Sequence, residues 1–161
     1  MLNLNELKTN AKLAEKQNRK LAAKLKKSKP NKLDETVQEL HEKAFAKIDC
    51  LACANCCKTT SPIFQQTDIE RIAKYFRMKP DVFVATYLHI DSDGDYVLNV
   101  SPCPFLENDN QCAIYSHRPT ACREYPHTNR KRFYQLLDLT VENTKICPAA
   151  FQIMEELNKI F

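Results

Sequence analysis

The sequence predicts a small, helix-dominated α+β domain with one short β-hairpin, plus a helical arm at its N-terminus. Three observations carry this. Apolar residues recur at three- and four-residue steps along much of the chain, the spacing of one helix face. The only glycine, Gly94, sits in an acidic turn between two apolar runs. Eight cysteines all lie at or beyond residue 50, where the chain's charge also changes sign.

A chain of 161 residues is the size of one domain with an appended arm. Hydrophobic residues at 43% and charged residues at 27% are ordinary for a globular protein. Glycine is the anomaly, because average usage would give about eleven in a chain of this length. With no G-x-G, the usual dinucleotide fingerprint and phosphate-binding loops are excluded, and nucleotide-dependent enzymes of those types with them. Residues 1–49 carry twelve Lys/Arg against seven Asp/Glu, and residues 50–161 carry twelve against thirteen. The expected organisation is therefore a basic arm over 1–49 and a cysteine-rich domain over 50–161.

In the arm, Leu4, Leu7, Ala11, Ala14, Asn18, Leu21 and Leu25 form a heptad seam with one polar position. Pro30 ends this helix. Asn31 is placed to cap a second one, with Asp34 and Glu35 in its first turn, where they suit the helix dipole, and Leu33, Val37, Leu40, Ala44 and Ile48 along one face. The lysines at 20, 24, 26, 27 and 29 raise RNA or ribosome binding as a role for the arm. With no aromatic residue for stacking, a solvated or partner-packing face is the simpler reading. Membrane binding lacks its Trp or Phe anchors there, and no apolar stretch reaches signal-peptide or membrane-span length.

Beyond the cysteine-dense segment, Thr67 with Glu70 makes a capping box for a helix carrying Ile69, Ile72, Ala73 and Phe76. Pro80 opens a short helix with Val82, Phe83 and Tyr87 available to the core. Residues 87–91 and 95–100 flank Asp91-Ser92-Asp93-Gly94-Asp95, which predicts a hairpin. That turn is not a calcium loop, because its glycine and its closing residue are misplaced for one. Pro119 opens a short helix carrying Cys122, and Phe133, Leu137, Leu139 and Val141 suggest a strand, with a helix as the alternative. Cys147-Pro148 starts a terminal helix with Phe151, Ile153, Met154, Leu157 and Ile160.

The cysteines carry the chemistry. Without a secretory signal the expected setting is the reducing cytoplasm, where thiols serve as metal ligands or reactive groups more than as disulfides. The adjacent Cys56 and Cys57 cannot pair with each other without strain. Cys50, Cys53 and Cys56 form C-x2-C-x2-C, matching the first three cysteines of a bacterial ferredoxin run whose fourth is a Cys-Pro. Cys103-Pro104 and Cys147-Pro148 are both candidates for that remote position. Thiolates are soft ligands for zinc or iron–sulfur clusters, and eight of them suit two four-thiolate sites or one site with thiols to spare.

Cys50-x2-Cys53-x2-Cys56-Cys57, then Cys103-Pro104-Phe105-Leu106, Cys112-Ala-Ile-Tyr115 and Arg118-Pro119-x-x-Cys122-Arg123-x-Tyr125-Pro126, resembles the YkgJ-type cysteine-cluster family over about residues 50–150. The resemblance implies a zinc- or iron-chelating domain whose eight cysteines are Cys50, Cys53, Cys56, Cys57, Cys103, Cys112, Cys122 and Cys147. The family includes the cysteine cluster of flagellin lysine methylases, so an iron–sulfur role in methyl transfer or redox chemistry is one alternative. No pocket for S-adenosylmethionine can be located in this shorter chain. A zinc-stabilised module that contacts RNA through its arm is the other alternative. The spacing slightly favours an iron–sulfur cluster over Zn2+.

Around the cysteines, Arg118 and Arg123 flank Cys122 and either balance thiolate charge or pair with Glu124 or Asp138. His117 and His127 read as neighbours of the site rather than ligands, His41 and His89 as structural, and Phe105, Tyr115 and Tyr125 as packing. No Ser/His/Asp set or carboxylate pair stands out as catalytic.

Overall fold

A computed structural model describes residues 3–161; residues 1 and 2 of the expected arm lie outside it. The fold is helix-dominated α+β with a two-stranded antiparallel sheet. The chain divides into two compact units: the segment ending at Asp49 together with Pro126–Phe161, and Cys50–Tyr125.

The first unit is helical. Helix α1 (Leu4–Ser28) begins at Asn3, whose side chain accepts the Asn5 N–H at 3.1 Å, and ends at Lys29 in the left-handed region ahead of Pro30. The seam expected from sequence is buried at Leu7, Ala11, Asn18, Leu21 and Leu25. Its partners come from the same chain: α1 packs on α8 (Leu137–Asn143) and α9 (Pro148–Ile160). Asn18 accepts a 2.7 Å hydrogen bond from Asn158 of α9, which satisfies the one polar position in the seam. Lysines of α1 are engaged within the unit as well. Lys24 donates to the Phe161 carbonyl, Lys26 pairs with Asp138 at 2.6 Å, and Lys29 lies over the Tyr134 ring.

Helix α2 (Leu33–Phe45) buries Leu33, Val37, Leu40 and Ala44, as its periodicity predicts, and packs on α9. Asn31 does not cap it: helical geometry starts two residues later, after Lys32. Asp34 instead accepts the N–H groups of Arg132 and Phe133 at 2.7 and 2.9 Å, fixing the turn before α8. His41 is structural as expected, bonded to Thr128 at 2.8 Å and packed on Phe45. The segment expected to be a strand is a 3-10 turn over Phe133–Gln135 followed by α8. Leu137, Thr140 and Val141 are buried at three- and four-residue spacing, whereas Leu139 is 44% exposed. The alternation that suggested a strand thus fails at one position.

The second unit holds seven of the cysteines and the hairpin. Two short helices, α3 (Cys50–Cys53) and α4 (Asn55–Thr59), are separated by Ala54 at φ 48°. Helix α5 (Gln66–Tyr75) begins two residues earlier than the predicted Thr67–Glu70 box places it, with Gln65 rather than Thr67 at its N-cap. The reciprocal partner at its start is Asp68, whose carboxylate accepts the Gln65 N–H at 3.1 Å. Helix α6 (Pro80–Tyr87) follows, with Phe83 buried but Val82 45% exposed. Strands β1 (Leu88–Ile90) and β2 (Tyr96–Leu98) pair in register Leu88 with Leu98. Asp91 closes their turn by accepting the Asp93 and Asp95 N–H groups at 2.9 and 3.0 Å, and Gly94 supplies φ 87°. His89 bonds to Asn99 beside the hairpin.

Phe64, Ile69, Ile72, Phe83, Leu98, Phe105 and Ile114 form the core of this unit, with Phe76 and Tyr87 packed against it. Cys103 and Cys112 lie on the edge of the same cluster. Helix α7 (Thr120–Glu124) carries Cys122. No helix among the described residues is long and apolar enough to cross a membrane.

Candidate metal centre

Each of the eight cysteines stands as a thiol. Seven lie in the second unit; Cys147 is buried in the first, immediately ahead of α9. Cys50 is exposed on α3, while Cys53, Cys56 and Cys57 are half-buried along α3 and α4. Among the described residues, no three His, Cys, Asp or Glu side chains are already arranged to hold an ion. Four thiols nevertheless come within electrostatic reach of one another: Cys57, Cys103, Cys112 and Cys122.

Local structure explains the convergence. The Cys103 N–H donates to the Cys57 carbonyl at 2.8 Å, which lays the segment after the hairpin against α4. Residues 105–113 then fold back on themselves. Leu106 bridges Cys112, the Glu107 N–H bonds the Gln111 carbonyl, and the Ala113 N–H bonds the Phe105 carbonyl, both at 2.8 Å. Cys122 is brought in by a clasp between α5 and the start of α7. The fully buried Asp68 accepts the Thr120 N–H and hydroxyl, both at 3.1 Å, and the Arg71 guanidinium at 2.7 Å. Arg71 also donates to the Arg118 carbonyl at 3.0 Å.

The backbone around these thiols is disposed to hold sulfur anions. The nearby N–H groups of Phe105 and Leu106 favour the Cys103 thiolate, and that of Ile114 favours the Cys112 thiolate. Amides aimed at a sulfur two or three residues back favour its thiolate. Burial opposes them: it pushes the Cys103 thiol up to about 11 and Cys122 up to about 12, with repulsion from the neighbouring thiolates adding to both. Cys112 is raised by the same two causes. Cys57 goes the other way, lowered to about 7, chiefly by a hydrogen bond from the Cys56 thiol, with Lys58 helping. The donor set therefore fits a thiophilic cation. Three thiols held protonated by burial and mutual repulsion are the groups a metal would deprotonate and relieve.

Of the residues named from sequence around the cysteines, Arg118 acts on two of the four thiols. Its charge lowers Cys112 and Cys122, and its guanidinium is fixed 3.8 Å over the Tyr115 ring by a 2.8 Å bond to the Tyr115 carbonyl. Arg123 bonds the Arg118 carbonyl on the exposed side. His117 stacks on Tyr75 with ring centroids 4.3 Å apart. Phe105 is buried packing, whereas Tyr115 is 47% exposed and serves as the platform for Arg118. Sequence reasoning missed Asp68, Arg71 and Lys58. The available signal was an Asp in the first turn of an amphipathic helix with an Arg three residues on, a spacing that puts both on one face.

A family model described as "CxxCxxCC: Putative zinc- or iron-chelating domain" matches residues 49–147, more than half the chain. No curated protein and no solved structure matches it.

Proposed function

Because this chain belongs to the CxxCxxCC family of zinc- or iron-chelating domains, we propose that it binds zinc or iron through cysteine thiolates, its eight cysteines supplying the donors. The observation that supports this reading most is that Cys57, Cys103, Cys112 and Cys122 come within electrostatic reach of one another, on segments tied together by the Cys103-to-Cys57 backbone bond and the Asp68 clasp. Bound zinc would act as a redox-inert tie between loops, and an iron–sulfur cluster would add one-electron chemistry. The finer reading favours iron–sulfur, on the C-x2-C-x2-C spacing of Cys50, Cys53 and Cys56. A reducing setting such as the cytoplasm belongs to this reading, since thiolates must persist to bind.

Neither alternative from the sequence gains a supporting observation. The lysines at 24, 26 and 29 have partners within the helical unit, so RNA binding rests on composition alone. Methyl transfer rests on resemblance alone. The test is anaerobic purification followed by elemental analysis, acid-labile sulfide determination and visible absorbance. Iron with sulfide and a brown colour support the cluster, and colourless protein with stoichiometric zinc supports the zinc form. Protein that is folded yet takes up neither metal contradicts the proposal.

A further inference from the structure

We propose that the outward face of α1 is a docking surface for double-stranded DNA, held through its phosphates by Lys8, Lys12, Lys16, Lys20 and Lys27. The proposal goes beyond metal binding and does not depend on it, since α1 belongs to the helical unit and carries no cysteine.

Helix geometry sets the face. Successive residues turn by about 100° and rise by about 1.5 Å. Leu7, Ala11, Asn18, Leu21 and Leu25 are buried on the side that packs on α8 and α9. The five lysines fan over about 120° on the opposite side, and Lys8 to Lys27 spans about 28 Å. All five are exposed, and among the described residues none of their side chains forms an ion pair.

The two acids of α1 do not interrupt this face. Glu6 has Thr9 and Asn10 at the positions where a helical pair would form, and Glu15 is held to Arg19 at 2.7 Å and Lys145 at 3.2 Å. Like charges four residues apart destabilise a helix, and Lys8, Lys12, Lys16 and Lys20 make such steps in a row. Elsewhere in the same unit exposed lysines are paired along their own helix: Lys43 with Glu39 at 3.9 Å, and Lys159 with Glu156 at 2.6 Å. Mixed charge serves solubility there, so the single-sign face of α1 calls for an external anion. A second basic group stands at the end of the helix where Lys27 lies. Asp34 accepts the Arg132 and Phe133 N–H groups at 2.7 and 2.9 Å, and Lys29 lies over the Tyr134 ring. These contacts bring the exposed Lys131 and Arg132 to the turn that carries the exposed Lys32.

The shape of the array selects the polyanion. A DNA duplex carries one charge per about 1.7 Å of its axis, so each lysine along α1 meets a phosphate. The face has no aromatic ring on which the bases of a single strand could stack. An α-helix about 10–12 Å across enters the major groove of B-form DNA, about 12 Å wide, with its flanking lysines at the phosphates. The narrow major groove of an RNA duplex does not admit it. Leu13 is 79% exposed among these lysines, but one leucine is too little apolar surface to anchor the face in a membrane. Lysines that meet phosphates alone position the duplex without reading its sequence.

The test is fluorescence anisotropy of the full chain with a short labelled DNA duplex of arbitrary sequence, repeated over a range of salt. Five phosphate contacts predict a slope of log K against log salt of about −4.5. Lys12→Gln with Lys16→Gln should bring it to about −2.7, while Lys12→Arg with Lys16→Arg leaves it near −4.5. Melting followed by circular dichroism should show the glutamine variant no less stable, since like-charge neighbours are removed. Lys43→Gln with Lys159→Gln should leave the slope unchanged. Absence of binding at low salt overturns the proposal, as does a slope that the α1 substitutions do not alter or that the Lys43 and Lys159 substitutions lower equally. Binding of duplex RNA, single-stranded DNA or anionic phospholipid vesicles as tight as that of duplex DNA overturns it too.

Discussion

Asp68 is the residue on which the approach of Cys122 depends, though it is no ligand. Its carboxylate is fully buried and accepts four hydrogen bonds: one each from Gln65 and Arg71, and two from Thr120. Burial alone would raise its pKa, but the Arg71 guanidinium and the N–H groups outweigh burial and hold it below the usual carboxylate value. A depressed pKa means stability present at neutral pH and lost as pH falls through the folded-state value. Asp68→Ala leaves Arg71 and Thr120 without their acceptor and should cost about 3 kcal/mol in chemical denaturation. The thiols titrate in the opposite sense. Cys103, Cys112 and Cys122 are raised, so at pH 7.5 they carry protons that a metal must displace, while Cys57 at about 7 is largely ionised. Calorimetry in buffers of different ionisation enthalpy should therefore show about three protons released per ion bound at this centre, with affinity falling as pH falls. Release of none would contradict the assignment of these thiols as ligands. The residue types were legible in the sequence, since few other roles explain this density of cysteine in the pattern observed. Their grouping was not, because backbone bonds between remote segments set it. Asp68 was hidden because the neighbouring Thr67 and Glu70 offered a more familiar capping pattern.

The scarcity of glycine has its consequence at the scale of elements. Among the described residues, six that are not glycine, Lys29, Ala54, Arg77, Asn110, His127 and Arg132, take positive φ at turns and helix ends where glycine is usual. Each holds a conformation that costs an L-residue about 1 kcal/mol. Arg77, at φ 55° just beyond α5 and exposed, is the cleanest case. Arg77→Gly should raise stability by about 1 kcal/mol and the melting temperature by a few degrees; a decrease would show that the side chain makes an unrecognised contact. Helices with long, uninterrupted periodicity were legible, and α1, α2 and α9 lie close to where the apolar steps place them. Short elements were less so. Phe133, Leu137 and Val141 fit a strand and a helix alike, and tertiary burial of Leu137, Thr140 and Val141 decides for the helix.

At the scale of the whole molecule, the hydrophobic seam of the N-terminal segment is covered by the C-terminal helices of the same chain. Sequence alone left its partner open, because a heptad pattern gives the face without saying what covers it. The second unit is organised differently: an aromatic core on one side and four thiols on segments that are distant in sequence. A metal joining those segments would add its binding free energy to the stability of the unit, because the unfolded chain has no preformed site. The whole account rests on sulfur being the donor. X-ray absorption at the edge of the bound metal, recorded on anaerobically purified wild-type protein, tests this most directly. The account predicts a first shell of sulfur alone, at about 2.3 Å if the metal is zinc. A shell dominated by nitrogen or oxygen would contradict it.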